Sequence, residues 1–245
     1  MKITQEIWAK SDTVLFIFAG AAAEFSLNKA VDWLYFTGKL PADPLGRLFS
    51  TVEYAQRILF LDEKASQKAI QQIAQIHKGV EKSRGAAIPD WAYRDVLYML
   101  VYYSIASFEL LERQLTEAQK EEVLQEFLKV GHGMGLQKLP INYQEWCIAR
   151  EAHLSQNLEH SKFTSDLYLQ YRMHLGWFRH TLLLEIQKLL VPKLVHRKLA
   201  LGSFTFLKIA VPLYKLIRRF RLSIILKNAM MPSKYSTQIQ NLNIT

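Results

Sequence analysis

Residues 92–115 read AYRDVLYMLVYYSIASFELLERQL, a run without Gly or Pro in which apolar and aromatic residues dominate on nearly every face. At about 3.6 residues per turn the run is long enough for six turns of helix. A helix that is apolar almost all round is buried on all sides rather than laid on a surface. Ala92 to Leu115 is therefore expected as the central helix of the fold, with the rest of the chain wrapped around it.

Helical spacing continues in both directions. Upstream, Ser11 or Asp12 can cap a helix running to Val31, and a turn at Pro41, Asp43, Pro44 and Gly46 precedes a helix over Leu45–Phe60. Asp62 can cap a helix over Glu63–Lys78, with Ala69, Ile70, Ile73, Ala74 and His77 on one face. Gly79 to Asp90 is expected as a loop, with Gly85 and Pro89 as breakers. Downstream, Thr116-Glu-Ala-Gln119 is a capping box that opens a helix ending near Gly131. Two more helices are expected over Pro140–Glu159 and Ser165–Leu190. Ten Gly and seven Pro in 245 residues are too few for an all-β chain, and no strand alternation or internal repeat is visible. The expected fold class is all-α: a single multi-helix domain over residues 1–201, followed by a basic amphipathic tail over 202–245.

Charge sharpens that division. The ten Lys and Arg from Lys193 onward are accompanied by no Asp or Glu, whereas residues 1–192 hold 21 Lys/Arg against 22 Asp/Glu. The net charge of +9 therefore resides in the tail, unlike a uniformly basic nucleic-acid binder. Within Leu213–Lys227, Leu213, Leu216, Ile217, Phe220 and Ile224 recur at helical spacing, with Lys215, Arg218, Arg219 and Arg221 largely off the stripe. Such a helix suits an anionic membrane surface, giving peripheral attachment, or a groove on the helical body. No segment reaches the roughly 20 apolar residues of a membrane span. The run Thr13–Ala23 is bounded by Asp12 and Glu24, and the acidic Glu6 and Asp12 ahead of it are unlike a signal peptide. The single cysteine, Cys147, excludes an internal disulfide. These features point to a cytoplasmic protein.

Few motifs carry chemistry. Gly131-His-Gly-Met-Gly135 has a helix before it and Pro140 after it, so it is a helix end and turn rather than a nucleotide loop. No Glu-x-x-His and no His-x-x-x-His occurs among the seven histidines, so a di-iron bundle and a helical zinc-protease site are absent. His77 stands apart because it lies on the apolar face of its helix. It is either a satisfied core histidine or an axial ligand to haem iron in an apolar pocket. Arg47 and Thr51, four apart, share a helix face. They are either an ordinary first turn or a clamp for an anion or oxygen species.

At this point the chain resembles the MpaB-type oxygenases, which include the catalytic domain of the rubber oxygenases. The pieces that carry the likeness are Ala42-Asp-Pro-Leu-Gly-Arg-Leu-Phe-Ser-Thr51, Ile58-Leu-Phe-Leu-Asp62 and Ile76-His-Lys-Gly-Val80, in that order. Gly131 to Pro140 with Tyr143 and Glu145, then Gly176-x-x-Arg179 and Gln187 to Pro192, extend it over about residues 12–201. The resemblance implies an all-helical fold holding one haem b, with His77 as the iron ligand and Arg47 and Thr51 in the haem pocket. It also implies oxidative cleavage of C=C bonds in an isoprenoid-like hydrophobic substrate with O₂. Rubber and the prenyl side chain of a fungal meroterpenoid are the family's substrates.

The chain also departs from the family. Rubber-cleaving members have a Lys where Ser50 stands, and their upstream Glu falls in Ala30-Val-Asp-Trp33, with Asp32 the nearest candidate. Tyr98, Tyr102, Tyr103 and Phe108 are candidate pocket walls, although ordinary core packing accounts for most of them. The alternative expectation is a helical haem- or lipid-binding protein without turnover.

Overall fold

The computed structural model describes residues 1–218. Among them the chain forms α1 (Ile3–Trp8), α2 (Ser11–Leu27), α3 (Val31–Phe36), α4 (Lys39–Ala42), α5 (Pro44–Phe60), α6 (Glu63–Arg84), α7 (Asp90–Leu111), α8 (Glu117–Gly133), α9 (Tyr143–Asn157), α10 (Lys162–Leu190), α11 (Lys193–Lys198) and α12 (Leu207–Arg218). The fold is all-α, and no strand forms among the described residues.

The centre is a pair of helices rather than one. α2 and α7 make the most extensive helix–helix contact. Every residue of α2 except Ala22 and Phe25 is buried. Close approach is set by Gly20: a Cβ there would stand 2.3 Å from Cδ1 and Cε1 of the Tyr103 ring, which is fully buried. Gly20→Ala is expected to lose about 1–3 kcal/mol despite the better helix propensity of Ala. The urea midpoint reads this directly, and an unchanged or raised midpoint would refute the packing argument.

Several boundaries differ from expectation for identifiable reasons. α2 stops at Leu27 because Asn28 turns extended and bridges Leu158; the Glu159 amide donates to the Leu27 carbonyl at 2.7 Å. α6 runs through Gly79 to Arg84. One helical Gly costs only about 1 kcal/mol, and Arg84 is anchored at the far end: its Nη2 reaches Asp32 Oδ2 at 2.6 Å and its guanidinium lies 4.0 Å from the Trp33 ring centre. α7 ends at Leu111, where the Glu109 carboxylate accepts from the Leu115 amide and redirects the chain. The Thr116 capping box and the caps by Asp43 and Asp62 form as their sequences require.

α12 begins before the expected Leu213. Leu207 and Val211 are buried in the common core, Tyr214 donates to Asp12 Oδ2 at 2.6 Å, and Lys215 donates to the Leu110 carbonyl at 3.3 Å. The remainder of the amphipathic stretch, from Arg219 to Lys227, lies outside the described residues. No described helix is long and apolar enough to cross a membrane.

Candidate functional site

A cavity of about 380 Å³ opens among α2, α5, α6, α7 and α10. Its walls are mainly Leu, Ile, Phe and Ala, including the two unburied residues of α2, Ala22 and Phe25. Arg47, Thr51 and His77 all line it, so the residues singled out from sequence meet at one place.

Local sequence explains how they meet. Asp43 accepts from the Gly46 amide at 3.0 Å, and Pro44 occupies the first position of α5, where its missing N–H is harmless. That start places Arg47, Ser50, Thr51 and Tyr54 on the cavity side. On α6, capped by Asp62 through the Ala65 amide at 2.9 Å, Ile73 and His77 lie one turn apart and both reach the cavity. Tyr93, at the start of α7, meets the His77 ring edge-on at 5.2 Å between centroids, and its hydroxyl donates to Glu81 at 3.2 Å.

His77 Nδ1 is buried without a hydrogen-bond partner of good geometry; the Ile73 carbonyl one turn back exerts only a weak pull. Burial, and then the nearby Arg47 charge, hold the imidazole below its usual pKa of 6.5. The ring is thus neutral at physiological pH, the form that ligates metals. No group of three or more His, Cys, Asp or Glu suited to a metal ion occurs among the described residues.

Arg47 has no carboxylate within ion-pair distance among the described residues, and burial lowers its pKa. Arg179 reaches the same cavity from α10, just after Gly176, and its Nε is buried without a partner. Gly176 adopts φ 73°, ψ 170°, a left-handed conformation that kinks α10 there. Glu126 is the one carboxylate among the lining residues, and it is held by Lys2 and Lys129, each at 2.8 Å. The cavity therefore combines apolar walls with two arginines whose charge no lining acid offsets. Ser50 and Thr51 hydroxyls both donate to the Arg47 carbonyl, at 2.8 and 3.1 Å, leaving their oxygens as acceptors toward the cavity.

A family model described as "ER-bound oxygenase mpaB/B'/Rubber oxygenase, catalytic domain" matches residues 8–221. The chain belongs to the mpaB/rubber oxygenase family. The match spans α2 to α12 and includes every element of the cavity wall. Comparisons with curated proteins and with solved structures gave no match.

Within this oxygenase-type domain, the aromatic residues of α7 belong to the core, as ordinary packing requires. Tyr98, Tyr103 and Phe108 are core residues with at most 1% exposure, and Tyr102 donates to the Leu190 carbonyl; none of the four lines the cavity. Their face of α7 turns toward the rest of the bundle, and Tyr93 and Val96 supply the cavity wall instead. Asp32 is engaged by Arg84 and lies off the cavity, which Trp33 lines. The Gly131–Gly135 segment is the end of α8 and its turn, with Gly131, Met134 and Leu136 on the wall. In the sequence Arg179 is visible only through the Gly176-x-x-Arg179 stretch of the family resemblance, and Tyr93 reads as one more aromatic of a buried helix.

Proposed function

We propose that this chain is a haem b-dependent oxygenase that opens a C=C bond of a hydrophobic, isoprenoid-like substrate with O₂. The observation that carries the proposal is the convergence of His77, Arg47 and Thr51 on one apolar cavity in a member of an oxygenase family. The residues fit the group. A lone neutral imidazole suits a metal already held by a macrocycle. Apolar walls suit a flat apolar ring, and unpaired Arg47 and Arg179 suit its two propionates, since a planar guanidinium binds a carboxylate in two parallel hydrogen bonds.

In this reading His77 holds the iron, Arg47 binds a carboxylate, and Thr51 offers an acceptor oxygen beside it. The leucines and isoleucines of the wall exclude water and orient an apolar chain. Bound there, haem supplies the one-electron chemistry that lets O₂ react. The balance is closed: one double bond and one O₂ become two carbonyls, so no external reductant is consumed.

Reconstitution of the purified protein with haem b tests this. The expected result is a one-to-one complex whose Soret band survives gel filtration. Addition of squalene in air should then consume O₂ and yield carbonyl fragments. Failure to retain haem overturns the proposal; retention without O₂ uptake leaves a haem-binding protein without turnover and overturns the oxygenase assignment for this chain.

A further inference from the structure

The polar atoms left open in the cavity are nearly all donors. Arg47 on α5 and Arg179 on α10 come from helices that pack against one another. Arg47 has no carboxylate within ion-pair distance among the described residues, and Arg179 Nε is buried without a hydrogen-bond partner. The acceptors of the wall are already engaged. Asn28 accepts from the Ala30 amide at 2.8 Å, and Glu126 is held by its two lysines. A partly buried charge without a partner costs free energy, so an anionic guest stabilises this wall.

The wall also narrows the kind of anion. No lysine is among the described lining residues, and the Ser50 and Thr51 hydrogens are spent on the Arg47 carbonyl. The start of α5 is closed by the Asp43 carboxylate, so that helix end is no anion site either. A phosphate would find few donors here. A carboxylate needs only a planar guanidinium, which it meets with two parallel hydrogen bonds. The α2 side of the cavity, with Leu15, Phe18, Ala22 and Phe25, is apolar. The volume of about 380 Å³ is at the low end of the roughly 300–1,000 Å³ usual for small-molecule sites. One slender apolar chain ending in a carboxylate matches all of these features.

We propose that the haem-free cavity binds a long-chain fatty acid, with the carboxylate on Arg47 and Arg179 and the chain along α2. Haem presents the same chemistry, carboxylates on an apolar body, so the two compete and haem loads only as the fatty acid leaves. That competition rests on the haem reading above; the fatty-acid site itself does not.

Calorimetric titration of full-length, delipidated, haem-free protein with oleate tests it. One oleate should bind per chain. Oleyl alcohol and methyl oleate should bind about tenfold more weakly or worse, because they forfeit the charge-assisted hydrogen bonds. Arg47→Leu with Arg179→Leu should lose about the same factor for oleate and nothing for the alcohol, with circular dichroism unchanged. Oleate at about ten times its dissociation constant should raise the haem concentration for half-loading about tenfold, by mass action. The fatty-acid site is overturned if wild type binds the alcohol as tightly as oleate, if the double variant keeps its preference for oleate, or if oleyl phosphate binds more tightly than oleate. Oleate that binds while haem loads unhindered overturns the competition. A protein that takes oleate in this pattern but retains no haem overturns the haem reading and upholds the fatty-acid site.

Discussion

Arg150→Met is expected to remove about 3–5 kcal/mol of folding stability, because it strands a carboxylate in the core. Glu24 and Arg150 side chains are only 4 and 5% exposed. The guanidinium donates through Nη1 to Glu24 Oε1 at 2.5 Å and through Nη2 to Oε2, so both carboxylate oxygens are engaged. Tyr103 donates to the same carboxylate at 3.1 Å, and the Arg150 guanidinium stands 5.2 Å from the Tyr102 ring centre. Burial alone would lower the Arg150 pKa, but the Glu24 charge and its hydrogen bonds outweigh it and raise the value. With Arg150 gone, Glu24 keeps one weak donor and no countercharge. Total stability for a domain is about 5–15 kcal/mol, so the loss is a large share of it. The double variant Glu24→Met, Arg150→Met should recover much of the deficit, since an apolar pair of similar volume replaces a buried ion pair at little net change. Urea unfolding of the two variants decides the matter. If Arg150→Met costs no more than the double variant, the pair is not the tie between α2 and α9 that its geometry describes.

That tie was invisible in the sequence, and the reason is general. Glu24 ends the apolar run Thr13–Ala23 and looks like a solvent boundary; its partner is 126 positions away. Helical periodicity reports which face of an element is apolar, but not which other element brings a countercharge to it. The same limit applies to Asp95. It is buried between Asn28, which donates to it at 2.8 Å, and His153 and Asn157 of α9. Three helix ends meet on that carboxylate, and only the fold brings them together.

Local signals fared better because they are local. Asp43 before Pro44, Asp62 before α6 and the Thr116 box each fix a helix start through bonds three residues long, and each forms. Arg47, Thr51 and His77 were legible as a set only through the family resemblance; helical spacing by itself gave Arg47 and Thr51 one face of α5 and His77 the apolar face of α6, and the cavity is where those faces meet. Arg179 lies more than 100 residues beyond His77 and reaches the cavity only because Gly176 kinks α10. The aromatic run on α7 was readable as core but not as cavity wall: its rings mark a buried helix, and a helix buried all round gives no sign of which side faces a void.

His77→Ala is expected to abolish haem retention while leaving the apo fold in place. The imidazole lines a cavity, and its Nδ1 has no good hydrogen bond to lose, so stability should change by about 1 kcal/mol or less. Loss of an outer partner already weakens metal sites by roughly 10–100-fold, and loss of the ligand itself should exceed that. Acidity separates ligation from mere packing. The folded-state pKa of His77 lies below its unfolded value near 6.5. Above that pH the ring is neutral in both states and contributes no slope. As pH falls from 6.5 toward the folded value, the unfolded chain takes up a proton that the folded chain refuses, and stability declines. The apo wild type should therefore lose stability over that interval, and His77→Ala should lack this component. Arg47→Leu should shrink it, because the Arg47 charge is a secondary cause of the depression after burial. The same substitution removes one guanidinium from the cavity and should weaken haem binding without erasing the Soret band. Proton NMR titration of the His77 ring, denaturant midpoints between pH 5 and 7, and haem titration of the three proteins supply the readings. A His77 ring that titrates at or above 6.5, or a His77→Ala protein that keeps its Soret band, would remove this residue from the site.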